Sequence, residues 1–212
     1  MRRRLVILTL FAAAMAYVEA AVVAYLRAIY YPSGFSFPLA GMPTDMLAIE
    51  VAREFATLIM LAAVAMLSGA DRWERFLHFA LTFSVWDIFY YVWLEVILGW
   101  PASLLEWDIL FLIPVPWLGP VLVPVIVSAS LIGGSLILLS LKARGIHLDF
   151  TLLSWMLVVL AGLIVVGTFT YDWRSVTENR LPAPYPWAVF VSVLVLALGV
   201  FFFSVRRLGV RR

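Results

Sequence analysis

The residues of this sequence that could do chemistry are ionisable side chains set inside long apolar stretches. Glu19, Arg27, Glu50, Arg53, Glu54, Asp87 and Glu95 all lie in such stretches, and Tyr90 and Tyr91 stand beside Asp87. A charge at the centre of a bilayer costs about 2.5–3.5 kcal/mol on insertion scales, so such residues face a bundle interior or a wet cavity and act as proton relays, ion sites or ligand contacts.

Their spacing arranges them in stripes. At about 100° per residue, Glu19, Arg27 and Tyr30 fall within roughly 80° of one helix face. Glu50, Arg53, Glu54 and Thr57 follow the i, i+3, i+4, i+7 pattern of a single face on the next stretch. Asp87, Tyr91 and Glu95 step by four on the third, with Tyr90 flanking them. Five carboxylates (Glu19, Glu50, Glu54, Asp87, Glu95) oppose two guanidiniums (Arg27, Arg53), an excess of three. Unpaired buried charges are costly, so some of these carboxylates must be protonated, solvated in a vestibule or neutralised by a bound cation.

Several chemistries lack the residues they require. The chain has no cysteine, which removes disulfides, thiol redox chemistry and Cys-ligated metal centres. Its one lysine, Lys142, lies at the end of an apolar stretch and not within it, so a retinal Schiff base has no anchor. His78 falls on the face opposite Asp87 and His147 in a loop, which leaves no bis-histidine haem site. There is no Walker loop, HExxH or GxSxG motif.

The elements that must position the stripes follow from composition. The 212 residues are 65% hydrophobic and only 13% charged, with mean hydropathy +1.04, whereas a soluble domain carries about 25% charged residues. A bilayer core of about 30 Å needs roughly 20 apolar residues per helix. The sequence therefore predicts an all-α polytopic membrane bundle forming one domain over 1–212, with six spans at about 5–31, 46–68, 76–99, 117–141, 152–171 and 187–205. Cleavage of the first as a signal peptide after 16 would leave a stub too short to span, so it is expected to remain as a helix.

Between the third and fourth spans, residues 101–116 hold an apolar segment too short to cross. An interfacial or re-entrant segment is expected there, followed by a kink at Pro124 inside the fourth span. Ala12, Ala16, Ala20 and Ala24 on the first helix, and Ala129, Ser130, Gly133 and Gly134 on the fourth, offer small-residue seams for close helix approach, to neighbours or to each other. Trp86-Asp87-Ile88 and Trp107-Asp108-Ile109 resemble one another, a likeness too short to indicate duplication.

Arg2, Arg3 and Arg4, Arg72 and Arg75, Lys142 and Arg144, and Arg206, Arg207, Arg211 and Arg212 all fall on one side of a six-span arrangement. Both termini are thus expected in the cytoplasm, with the chain in a plasma or inner membrane. The bilayer is the expected partner, joined by a second copy or a partner subunit, and the placement of the basic residues argues against nucleic acid. Three functions fit: a site that binds or transports a cation, proton or small solute; an enzyme acting on a lipid or isoprenoid, its carboxylates holding Mg²⁺ or Mn²⁺ or serving as acid and base; and an accessory subunit. Catalytic residues, metal and cofactor are not specified by the sequence.

Overall fold

A computed structural model describes residues 2–210; Arg211 and Arg212, counted above among the basic residues, lie outside them. Helices α1 (Arg2–Tyr30), α2 (Thr44–Ser68) and α3 (Arg72–Leu98) are followed by strands β1 (Trp107–Phe111) and β2 (Trp117–Pro120). Then come α4 (Leu122–Ala143), α5 (Leu152–Thr170), the short α6 (Trp173–Thr177) and α7 (Trp187–Val210). Six of these helical segments are long and apolar enough to cross a membrane, as the sequence predicts.

Local chemistry sets the ends of α3. Asp71 accepts a hydrogen bond from the Glu74 N–H at 3.1 Å, while the Glu74 carboxylate reaches back to the Ala70 N–H at 2.9 Å. These reciprocal bonds satisfy N–H groups that a helix start leaves open. Gly99 stops the helix in the left-handed conformation at φ 64°, its N–H returning to the Glu95 carbonyl at 2.9 Å.

The helix α3 is the axis of the bundle, with α1, α2 and α4 packed on it. Ala12, Ala16 and Ala20 are wholly buried, and the α1 seam lies against α3, where Trp93 donates its indole N–H to the Ala13 carbonyl at 2.9 Å. On α4 the expected seam is not closed as a whole: a Cβ at Gly134 would touch the Phe201 ring of α7, while Ala129 and Gly133 are exposed. A second packing group joins Val123, Phe169, Tyr185 and Phe190 from α4, α5, α7 and the loop before α7.

In the 101–116 segment the backbone is extended, and β1 pairs with β2 in an antiparallel hairpin. Trp, Ile, Leu and Phe suit a pleated surface, and Pro114 and Pro116 lie in the connection, where their missing N–H groups cost no ladder bond. The ladder pairs Asp108 with Gly119 and Ile109 with Leu118. A Cβ on Gly119 would stand 3.2 Å from the Phe169 ring, so the strand approaches α5 closely only because that side chain is absent.

The fourth helix consequently begins at Leu122, the residues from Trp117 to Pro120 having gone into β2. Pro124 then occupies the first turn of α4 and not its interior, which corrects the expected kink. In a first turn the N–H has no intrahelical acceptor, and proline loses nothing there.

Candidate functional site

Both ends of the bundle carry charge. At the end that holds the chain termini, Arg4 pairs with Glu74 at 3.2 Å and Lys142 pairs with Asp71, largely in the open. Asp71 is held below the ordinary carboxylate range by its hydrogen bond from Lys142. The opposite end carries the 31–43 loop and the hairpin; Arg180 and Glu178 pair in the open there, but the charges between the helices and the hairpin are largely buried.

At that end a cavity of about 540 Å³ lies among α1, α2, α3 and the hairpin. The α1 residues Glu19 and Arg27 line it, as do Glu50, Arg53 and Glu54 of α2 and Asp87, Tyr90 and Tyr91 of α3. Eight of the nine residues picked from the sequence thus meet at one space. The 31–43 loop closes over it, folded back by a hydrogen bond from the Ala40 N–H to the Tyr31 hydroxyl at 2.9 Å.

The ninth residue, Glu95, is exposed and does not line the cavity. Glu95 stands eight residues, about 12 Å, further along α3 than Asp87, one turn before the Gly99 cap.

Two guanidiniums organise the walls. Arg53 forks between neighbours, bonding Glu50 through Nε at 2.9 Å and through Nη2, and pairing with Glu19 through Nη1. Glu19 also accepts the Thr57 hydroxyl at 3.1 Å, which ties α1 to α2. Arg27 pairs with Asp108 of β1 at 3.0 Å and lies in the corner of two aromatic rings, 3.7 Å from the Trp100 centroid and 4.4 Å from that of Phe35. Charge and ring quadrupole attract, and desolvation strengthens both contacts.

The other two carboxylates have neutral partners. Glu54 accepts the Leu112 N–H at the tip of the hairpin at 2.9 Å, and Asp87 accepts the Ser128 hydroxyl of α4 at 2.8 Å. Because Glu54 stands ten residues into α2, the bond to Leu112 places the hairpin tip about 15 Å down the bundle from the start of that helix.

Asp108 was not among the residues picked for the site. It is 2% exposed, and burial pushes its carboxyl up to about 6, against the pull of Arg27. Its signal in the sequence was the second Trp-Asp-Ile, whose aspartate turns out to serve the same region as the first. Ser128, absent from the sequence reading, had no signal beyond being a hydroxyl within a span. With Asp108 in and Glu95 out, the count is again five carboxylates to two guanidiniums.

Among the described residues, no three His, Asp or Glu side chains form a group that could hold a metal ion. Fold and site together define a bundle of six long apolar helices with a charged, aromatic-walled cavity at one end. No known protein family, curated protein or solved structure matches the chain.

Proposed function

We propose that this chain is an integral membrane protein whose cavity binds a cation, or couples protons to a small solute, with transport as its role. The observation that carries this reading is the convergence of eight polar residues from three helices on one space of about 540 Å³. Glu19 and Asp87 are the deep acceptors for proton or cation. Arg53 and Arg27 orient the carboxylates around them and keep part of the set ionised, while Glu50 and Glu54 stand nearer the mouth.

Charge supports a cationic partner: five carboxylates against two guanidiniums leave a deficit that protons, water or a ligand cation must fill. The hairpin supports the same reading, since a non-helical segment at membrane depth is tolerated where it is buried in protein or lines a wet cavity. In this arrangement both termini face the cytoplasm and the cavity opens toward the other side. Labelling a cysteine placed at the exposed Glu178 only from the cytoplasmic side would reject that orientation.

The functional test is Asp87→Asn, which keeps size and hydrogen bonding and removes the charge. Cation-evoked proton release, or solute uptake into proteoliposomes, is expected to vanish in a protein that still folds. Unchanged proton release in the folded variant would rule out Asp87 and leave Glu19 as the deep acceptor.

A further inference from the structure

Charge lies at the floor of this cavity and apolar side chains lie above it. Glu19 stands eleven residues before the end of α1 at Tyr30, and Asp87 eleven before the end of α3 at Leu98, which puts both about 16 Å below those helix ends. Exposed Gly41, Thr177 and Asn179 mark the mouth, among the loops. Between the two levels the lining includes Val23 and Leu26 of α1, Leu39 and Met42 of the 31–43 loop and Leu47 of α2. The guanidiniums that share this stretch are already matched, Arg27 by Asp108 and Arg53 by Glu19 and Glu50.

Such a wall suits an apolar body better than a bare ion. A hydrated ion gains nothing from side chains that cannot replace its water, and among the described residues no three His, Asp or Glu side chains come together to ligate a dehydrated one. An apolar body does gain, since each methylene taken from water favours binding about fourfold. The volume of about 540 Å³ lies within the roughly 300–1,000 Å³ of small-molecule sites, whereas one water takes about 30 Å³.

The floor supplies the complementary charge. Asp87 and Glu54 both line the cavity, and both accept hydrogen bonds from neutral groups, the Ser128 hydroxyl and the Leu112 N–H. Glu54 is buried against the hairpin tip, whereas Asp87 is half-buried and keeps surface that a ligand can reach. A carboxylate with only neutral partners in a desolvated place is stabilised by a positive charge brought beside it.

We propose that the ligand of this cavity is an apolar organic cation, an ammonium ion carrying a hydrocarbon body. It enters from the loop side, sets its charge against Asp87 and lays the hydrocarbon along the wall toward the mouth. This rests on the cavity being a cation or solute site as proposed above, and names the class of solute.

The test uses three probes, butylamine, hexylamine and hexanol, titrated calorimetrically at neutral pH into the full chain in detergent, with protein-free micelles as the blank. Hexylamine is expected to bind roughly tenfold or more tightly than butylamine, the worth of two methylenes, and roughly tenfold or more tightly than hexanol, the worth of the charge. In Asp87→Asn the preference for amine over alcohol should fall to near unity while hexanol affinity holds. Val23→Phe, which fills part of the apolar wall, should shrink the step from butylamine to hexylamine, and it serves as the second variant should Asp87→Asn not fold.

Equal affinity for the two amines would overturn the apolar wall as part of the site, as would a chain-length step unchanged in Val23→Phe. Hexanol binding as tightly as hexylamine would overturn the cation, and an amine preference that survives Asp87→Asn would overturn the anchor. Proton release evoked by Na⁺ and dependent on Asp87, in a protein that binds neither amine, would overturn this proposal and leave the broader reading of the cavity standing. Absence of both amine binding and proton release would overturn the two together.

Discussion

The two ends of this bundle use the same residue types to opposite effect. Where the termini lie, Arg4, Lys142, Asp71 and Glu74 form ion pairs that water reaches, with side-chain exposures from 21% to 51%. At the hairpin end, Arg27 and Asp108 are 9% and 3% exposed, and Arg53 is shared between two buried carboxylates. Solvated pairs are worth about 0–1 kcal/mol, whereas losing one partner of a buried pair costs about 3–5 kcal/mol because the other charge is stranded. Charge identity therefore says little about role until burial is known.

The largest expected effect is that of Arg53→Ala, which strands Glu19 and Glu50 together. Its melting temperature in detergent should drop far more than that of Arg4→Ala, by the equivalent of about 3–5 kcal/mol against about 0–1 kcal/mol. Equal melting temperatures would erase the contrast between the two ends.

Gly119→Ala comes next, because its Cβ would press on the Phe169 and Tyr185 rings where the hairpin meets α5. Overpacking of this kind costs about 1–3 kcal/mol. The melting temperature should fall, and Phe169→Leu in the same chain should restore part of the loss.

Acid should separate the ends by sign. Burial raises Asp108 to about 6, so between roughly pH 4 and 6 the folded protein keeps a proton that the unfolded chain has released. That contribution to stability is present at low pH and is lost as pH rises through the window. Asp71 is lowered, so its contribution is present above the ordinary carboxylate pKa and is lost on acidification. Relative to the parent, Asp108→Asn should therefore flatten a fall in melting temperature with rising pH, and Asp71→Asn should flatten a fall with acid.

The smallest effect is expected for Lys142→Ala, at about 0–1 kcal/mol, since its pair with Asp71 is solvated. Raising the salt concentration should shrink even that difference, and should leave the Arg53→Ala difference largely intact, because buried pairs are screened much less. A salt-independent loss in Lys142→Ala would show that the terminal end is as closed as the hairpin end.

Six long apolar helices were readable from the sequence because hydropathy is a property of each segment by itself. The stripes on α1 and α2 were readable for a similar reason, since helix geometry fixes which residues share a face. Facing alone does not fix depth, which leaves Glu95 off the cavity further along α3, nor the start of a helix, which decides the turn of α4 that holds Pro124. The 101–116 segment was too short to span, and its length alone could not give the backbone conformation it adopts.

Only the tertiary structure decided how these stripes are used. Arg27 and Asp108 are 81 residues apart, and the other partners that matter here also join different elements, 38 to 58 residues apart: Glu54 with Leu112, Asp87 with Ser128, Glu19 with Thr57. No local periodicity encodes such pairs, because they arise from how α1, α2 and α4 pack around α3 and how far the hairpin reaches between them. The sequence determined which residues were too costly to bury without a partner; the packing determined which partner each received, and left Asp87 and Glu54 lining a space that no side chain fills.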